Sequence, residues 1–156
     1  MYGEPRFTAD IDVNVLLDKR DVEKFLKRAA KFGFTPLFAE TDKMVQETGV
    51  MALKFKKGRV EGKFDIILAE NLLEYAAIRR SRHRRIASIS VKVVLPEDLI
   101  LHKIASSRPR DREDLQGIVS RQKDKLNVPY VERWLKRLEK ADPSSHLLRR
   151  FHSLWK

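Results

Sequence analysis

Alternating apolar and polar positions near the amino terminus predict a β-strand over residues 7–17. Every odd-numbered residue from Phe7 to Val15 is apolar, and every even-numbered residue between them is polar or charged. Because successive side chains of a strand point to opposite faces, this period of two is typical of a strand with one buried face. Short apolar segments predict three further strands, the first two joined as a hairpin through Gly58 to Gly62: 50–56, 62–68 and 88–95.

A different spacing, with apolar residues three or four positions apart, predicts a helix over residues 19–32. Such residues form one stripe along a helix, here Val22, Phe25, Leu26 and Ala29. Asp18 or Asp21 can cap its first turn, and Gly33 can end it because glycine readily adopts the left-handed conformation. A shorter helix is predicted from Asn71 to Ile78.

The last third of the chain is predicted to be almost entirely helical. Pro96 suits the first turn of a helix, and Pro109 and Pro129 separate later helices. The predicted helices cover 96–106, 111–122, 128–140 and 143–155. Since strands dominate the earlier part, we predict an α/β (α+β) core over residues 1–106, followed by a helical carboxyl-terminal extension over 107–156 that packs on the core.

Composition narrows the class of partner. The 156 residues include 33 lysines and arginines against 22 aspartates and glutamates, a formal net charge of +11. Such an excess favours polyanions, above all nucleic acid or nucleotide phosphates, although it also suits plain solubility. The absence of cysteine excludes disulfides and thiolate metal sites, and no apolar run approaches the roughly 20 residues of a membrane span. We therefore expect a cytoplasmic protein without a membrane segment.

Three aspartates supply the strongest chemical signal. Asp10 and Asp12 lie two residues apart on the first predicted strand, so both side chains point to the same face. Like charges at this spacing repel each other, and carboxylate oxygens are ligands that Mg²⁺ prefers. Asp65 is a lone acid within an otherwise apolar strand. If the two strands are neighbours, the three carboxylates converge on a magnesium ion, with Asp65 as a ligand or a general base. Otherwise Asp65 simply faces water.

A lysine on the predicted helix over 96–106 has two interpretations. Lys103 falls beside the apolar stripe, four residues after Leu99. Its side chain either extends past the core into water or reaches into a cleft to bind a phosphate. Asp111 follows at a helix start, where it can cap the helix or pair with Lys103 or an arginine.

A dense basic run contains five arginines within seven residues: Arg79, Arg80, Arg82, Arg84 and Arg85. Such a run repels itself and gains from a nearby polyanion, so we predict a nucleic-acid-binding segment, with a solvated loop as the alternative. Further along, Tyr130, Trp134 and Leu138 share one helical face. This spacing predicts packing in the core rather than stacking against nucleic-acid bases.

Together, these segments resemble the nucleotidyltransferase superfamily, and within it the AbiEii-type branch, which includes toxins of toxin–antitoxin pairs. The motifs that carry the resemblance, in chain order, are Arg6, Thr8-x-Asp10-Ile11-Asp12, Asp65, Pro96-Glu97-Asp98, Lys103, Asp111 and Asp114. The resemblance spans residues 3 to about 119. The Asp-Ile-Asp element alone is only moderately specific, whereas all blocks in this order are more so.

The resemblance implies a polymerase-β-like nucleotidyltransferase core, with a mixed sheet flanked by helices. It implies Asp10 and Asp12 as Mg²⁺ ligands and Asp65 as the third metal-site carboxylate, all three acting in catalysis. The implied reaction moves a nucleoside monophosphate from an NTP to an acceptor. The acceptor is a tRNA end, a protein hydroxyl or a small molecule, and the basic surface favours RNA. The branch implies an antitoxin protein as a further partner.

For the nucleotide itself, the resemblance implies phosphate contacts by Lys103, Arg6 and Thr8. It also implies a catalytic part for Lys103 and Asp111. Members of the superfamily also place a Gly-Gly or Gly-Ser turn upstream of the aspartate pair, where its backbone amides hold the triphosphate. The expected position of this turn, counted back from Asp10, falls before Met1. We therefore expect that the chain either begins late or has lost this turn. In the second case, it is a catalytically impaired module that binds nucleic acid through its basic surface.

Overall fold

A computed structural model describes residues 2–3, 10–106 and 108–155 of the chain. The described residues form two compact units. The sheet unit comprises residues 10–79, and the helical unit comprises residues 2–3, 80–106 and 108–155. The predicted division at residue 106, with a helical extension packed on a core, stays a prediction.

The sheet unit contains a four-stranded mixed sheet in the order β1-β4-β3-β2. Its strands are β1 (Asp10–Val15), β2 (Phe34–Pro36), β3 (Val50–Lys57) and β4 (Val60–Leu68). β1 is parallel to β4, whereas β3 is antiparallel to both β4 and β2. The predicted first strand and hairpin are therefore confirmed, although residues 7–9 of that strand lie outside the described residues.

Three helices accompany this sheet: α1 (Val22–Ala30), α2 (Thr41–Thr48) and α3 (Leu72–Arg80), whose last residue belongs to the helical unit. A 3₁₀ turn precedes α1, and the Asp18 side chain accepts a hydrogen bond from the Arg20 backbone there. Gly33 closes the turn after α1 with a φ of 92°, and an added Cβ would lie 2.6 Å from the Lys56 carbonyl oxygen. The predicted helix and its glycine terminator are thus confirmed, whereas α2 and β2 were not predicted.

The core of the sheet unit lies on one face of the sheet, against α1 and α2. Its buried members are Val22, Val45, Met51, Leu53, Ile66 and Leu68. The rings of Phe34 and Phe64 meet edge-on beside this core, with 5.1 Å between their centroids. An apolar cleft of about 660 Å³ opens between α1 and this face of the sheet. The opposite face of β1 and β4 is consequently left for polar side chains.

The helical unit contains a two-stranded antiparallel sheet and four helices. The strands are β5 (Arg82–Ile86) and β6 (Ile89–Val93), and the helices are α4 (Pro96–Ile104), α5 (Pro109–Gln122), α6 (Val128–Ala141) and α7 (Leu147–Ser153). Their apolar stripes bury Ile100, Leu101, Ile104, Leu115, Ile118, Val119, Val131, Leu135, Leu147 and Phe151. The predicted helices and the strand over 88–95 are confirmed.

Two expectations for the helical unit are wrong. Most of the basic run forms β5 instead of the solvated loop considered as the alternative. Tyr130 and Trp134 are only half-buried, because Val131 and Leu135 are the residues that α6 turns into the core.

The chain as a whole has the predicted α/β (α+β) fold, with a mixed sheet and a helical carboxyl-terminal part. This architecture is consistent with a nucleotidyltransferase-like core.

Candidate active site

The acidic face, defined by Asp10, Asp12 and Asp65, lies on β1 and β4. Asp12 is directly opposite Asp65 in the parallel register of these strands, and Asp10 is opposite Lys63. Neighbouring strands lie about 4.8 Å apart, and residues two positions apart share a face, so the three carboxylates project from one side of the sheet. The predicted adjacency of the two strands is therefore confirmed.

Hydrophobic burial fixes this arrangement. Val13 pairs with Ile66, and Val15 pairs with Leu68, and all four side chains belong to or pack against the core of the sheet unit. A slip of one residue in the register of β1 would move its apolar side chains to the opposite face and its aspartates into the core. The core thus holds the aspartates on the outer face.

The electrostatics of the acidic face are those of crowded negative charge. Asp10 and Asp12 are exposed, whereas Asp65 is half-buried. Burial is the largest cause that raises the pKa of Asp65, followed by the negative charges of Asp12 and Asp10, while Lys63 lowers it. A cation bound here would relieve this repulsion, and a carboxylate of raised pKa is a better proton acceptor.

The acidic face fits only one kind of magnesium site. Among the residues that the structure describes, no three aspartate, glutamate or histidine side chains are arranged to hold a metal ion by themselves. Mg²⁺ is commonly bound by one or two carboxylates, with substrate phosphates and water as the other ligands. The exposed pair Asp10 and Asp12 fits such an open site, since a nucleotide can reach it. Two of the predicted nucleotide contacts, Arg6 and Thr8, lie outside the described residues.

The Lys103 cluster, made of Lys103, Ser106, Asp111 and Asp114, joins α4 to α5 in the helical unit. The Lys103 ammonium donates hydrogen bonds to Asp111 at 2.5 Å and to Asp114 at 2.8 Å. The Ser106 hydroxyl donates to the second oxygen of Asp111 at 2.6 Å. Arg150 on α7 donates to the carbonyl of Ser106 at 2.6 Å. The pairing of Asp111 with Lys103 is confirmed, whereas Ser106 and Arg150 were missed because neither stands out in the sequence.

Hydrogen bonds between charged groups set the direction of the pKa shifts of Lys103 and Asp111. Burial opposes the charged form of Lys103, but its hydrogen bonds to Asp111 and Asp114 outweigh burial and raise its pKa above the usual 10.5. The hydrogen bond from Lys103, followed by that from Ser106, lowers the pKa of Asp111 below the usual 3.8. Lys103 and Asp111 are therefore both charged throughout the neutral range.

Replacing Lys103 with methionine is expected to lower the free energy of unfolding by about 2 kcal/mol at pH 7, because two half-buried carboxylates lose their cation. The lowered pKa of Asp111 makes its contribution complete above the unfolded pKa and lost as the pH falls through the folded one. The raised pKa of Lys103 makes its contribution complete below about 10.5 and lost at higher pH. Chemical denaturation at pH 3, 7 and 11 should therefore show the largest difference from the unaltered protein at pH 7.

Lys136→Met is the matched control for this change, since Lys136 is an exposed lysine of α6. We expect it to change the unfolding free energy by under about 0.5 kcal/mol at each pH. A Lys103→Met variant that matches this control at pH 7 would contradict the assigned role of the ammonium.

A family comparison decides the class of protein. Residues 1–152 match a family model described as a nucleotidyl transferase of unknown function (DUF2204). The chain belongs to this nucleotidyl transferase family. The name of the family indicates transfer of a nucleotidyl group and a nucleotide as substrate. The resemblance to nucleotidyltransferases is thereby confirmed at this level, while the AbiEii-type branch stays a prediction. A search of curated proteins finds no match.

The basic run of this nucleotidyl transferase is divided between elements. Arg82, Arg84 and Arg85 lie on β5, which is exposed along its whole length, and Arg79 is exposed near the end of α3. These four guanidinium groups are accessible to a polyanion, and their predicted part in nucleic-acid binding stays a prediction.

None of the helices in the described ranges is long and apolar enough to cross a membrane.

Arg80, the remaining arginine of the run, is engaged in a buried polar network. It donates to Asp98 at 3.0 Å and to Glu97 at 3.4 Å, and its guanidinium carbon lies 3.7 Å from the ring centroid of Tyr130. The Tyr130 hydroxyl donates to the other oxygen of Asp98 at 2.6 Å. Burial, followed by this hydrogen bond, raises the pKa of Tyr130 to about 12. The network joins Arg80 to α4 and α6 within the helical unit. The predicted part of Arg80 in nucleic-acid binding stays a prediction.

Proposed function

We propose that this protein is a magnesium-dependent nucleotidyltransferase that moves a nucleoside monophosphate from an NTP to an acceptor hydroxyl. The observation that carries the proposal is the parallel pairing of β1 with β4, which sets Asp12 opposite Asp65 with Asp10 on the same face. Membership of a nucleotidyl transferase family supports the class of reaction.

Asp10 and Asp12 are the residues that would hold Mg²⁺. Both are exposed on a strand whose position is fixed by the core. When bound, the ion neutralises the charge that builds on the phosphates during transfer. Asp65 adds a third carboxylate to the same face and is available either to the ion or to the acceptor.

Asp65 is the proposed proton acceptor for the incoming hydroxyl. The hydroxyl oxygen forms a bond to the α-phosphorus, and the bond from that phosphorus to the bridging oxygen breaks. Pyrophosphate leaves with the electron pair of that bond, and the hydroxyl proton passes to Asp65. The raised pKa of this carboxyl, caused first by its burial, supports the role. The parts of Lys103, Asp111, Arg6 and Thr8 in phosphate binding and catalysis are retained from the resemblance as predictions.

RNA, for example a tRNA end, is the proposed acceptor. The net charge of +11 and the exposed arginines of β5 support a polyanionic partner. The order of motifs supports the AbiEii-type branch, and with it an antitoxin protein as a second partner. The absence of cysteine supports a cytoplasmic location.

A catalytically impaired module that binds nucleic acid is the second candidate function. The exposed basic strand β5 supports it, because such a surface binds phosphates whether or not transfer occurs. The two candidates differ in one observable: only the enzyme consumes an NTP.

Incubation with each of the four NTPs, labelled at the α-phosphate, tests the proposal in the presence of total RNA and Mg²⁺. We expect label to appear in RNA with at least one NTP, and the transfer to stop when EDTA removes the metal. Label transferred equally well in EDTA would contradict the metal-dependent mechanism. Binding of RNA without transfer from any NTP would favour the impaired module.

A further inference from the structure

The α6 cleft is a second chemical feature of the helical unit. It has a volume of about 320 Å³ and is lined by Tyr130, Arg133, Trp134 and Arg137. These residues are spaced three or four positions apart, so they follow one another along a single face of α6. The buried side chains of this helix, Val131 and Leu135, lie on its other side and hold it against the core.

The two aromatic rings of the α6 cleft differ in their surroundings. Tyr130 is fixed by its hydrogen bond to Asp98 and by the Arg80 guanidinium, which covers its ring at 3.7 Å. Trp134 is half-buried, and the guanidinium carbon of Arg137 lies 5.4 Å from its ring centroid. α6 thus presents a large flat side chain that is half-buried, so that part of it is accessible to solvent.

The charge of the α6 cleft selects the class of ligand. Both Arg133 and Arg137 are exposed, and no carboxylate is among the residues described as lining the cleft. A ligand with a flat aromatic group and adjacent negative charge satisfies both the indole ring and the two guanidinium groups. Single-stranded nucleic acid has this combination, because its unpaired bases can stack on aromatic side chains while its phosphates contact arginine. A duplex keeps its base faces stacked inside and lacks it.

We propose that the α6 cleft binds single-stranded nucleic acid, with one base stacked on Trp134 and neighbouring phosphates contacted by Arg133 and Arg137. The proposal concerns binding alone and needs neither a metal ion nor an NTP. The test of this binding site is therefore independent of the test of the proposed transfer reaction.

Intrinsic fluorescence can report on the stacked indole. The chain has two tryptophans, and Trp155 packs edge-on against Phe151 with 4.7 Å between ring centroids. A Trp155→Phe variant of the full chain therefore leaves Trp134 as its only indole. Titration with an oligouridylate of eight nucleotides in EDTA at low salt is expected to quench its fluorescence, whereas a duplex of equal length should quench it much less.

Fluorescence anisotropy of a labelled oligouridylate measures affinity without relying on tryptophan. We expect Trp134→Leu to weaken binding about tenfold, and Trp134→Phe to retain most of the affinity because a phenyl ring still stacks. Arg133→Gln and Arg137→Gln should each weaken binding and reduce its salt dependence. Arg149→Gln is the matched control, since Arg149 is an exposed arginine of α7 outside the cleft. It should weaken binding less than either cleft variant.

Thermal melts of each variant check that the helical unit stays folded. Unchanged affinity of a folded Trp134→Leu variant would overturn the proposal. So would quenching by inorganic polyphosphate equal to that by oligouridylate, since polyphosphate has the charge but no bases. An oligouridylate that leaves the fluorescence of the Trp155→Phe variant unchanged would overturn it as well.

Discussion

Replacing Asp12 with asparagine is expected to slow nucleotidyl transfer by about 1,000-fold. The neutral amide oxygen is a much weaker ligand for Mg²⁺ than a carboxylate, and the charge on the reacting phosphates loses its neutralising partner. A factor of 1,000 corresponds to about 4 kcal/mol of lost transition-state stabilisation. The rate of label transfer from an α-labelled NTP at saturating Mg²⁺ measures the effect.

Asp42→Asn is the matched control for this substitution. Asp42 is an exposed aspartate in the first turn of α2, so its replacement removes the same charge from the same unit. We expect its transfer rate to stay within about twofold of the unaltered protein. The Asp12→Asn variant should also remain folded, because it relieves repulsion with Asp65. Equal transfer rates for the two variants would contradict the role assigned to Asp12.

Replacing Asp98 with alanine is expected to lower the free energy of unfolding by about 3–5 kcal/mol. The side chain of Asp98 is fully buried, with an exposed fraction of 0%, and it accepts hydrogen bonds from both Arg80 and Tyr130. Its removal leaves a half-buried guanidinium and a half-buried hydroxyl without their shared acceptor. Thermal denaturation should show a midpoint lowered by about 6–20 °C.

Two further variants separate the causes of this effect. Asp98→Asn keeps the shape of the side chain and an acceptor for Tyr130 but removes the charge that pairs with Arg80, so we expect a smaller loss of stability. Asp124→Ala removes an exposed aspartate from the same unit and should shift the midpoint by under about 2 °C. If the Asp98→Ala variant has the same denaturation midpoint as the Asp124→Ala control, the network around Asp98 contributes little to the stability of the helical unit.

Most regular elements could be predicted because each turns a continuous apolar stripe towards a core. β1 and β4 bury alternate residues, and α1 buries positions three and four apart, so the period of the pattern identifies each element. Proline and glycine then locate the ends of the elements. Pro96 lies in the first turn of α4, and the positive φ of Gly33 closes the turn after α1.

Three missed elements lack such a stripe. β2 has three residues and includes Pro36, so it is too short to show alternation. α2 buries only Thr41 and Val45, which leaves no helical repeat to detect. β5 is exposed along its whole length and is held by backbone pairing with β6. Hydrophobic periodicity carries no information where side chains are not buried.

Side chains that are close in the sequence could be related to each other in advance, as in the candidate site. The distant partners of Asp98 could not. The shared face of Asp10 and Asp12 follows from their spacing alone. Asp65, the lone acid of the strand predicted over 62–68, indicated where a third carboxylate would lie. The partners of Asp98 lie 18 and 32 positions away in the chain. No pattern of charge or period connects residues so far apart, and Arg80 therefore stood out only as part of a basic run.

Paramagnetic broadening of backbone amide signals by Mn²⁺, added together with a non-hydrolysable NTP analogue, locates the divalent ion directly. Manganese binds the same carboxylate and phosphate oxygens as magnesium and broadens the NMR signals of nearby nuclei. We expect the strongest broadening at residues 10–12 of β1 and 64–66 of β4, and its loss in the Asp12→Asn variant. Broadening centred on other acidic residues, with β1 and β4 unaffected, would contradict the assignment of the acidic face as the metal-dependent site.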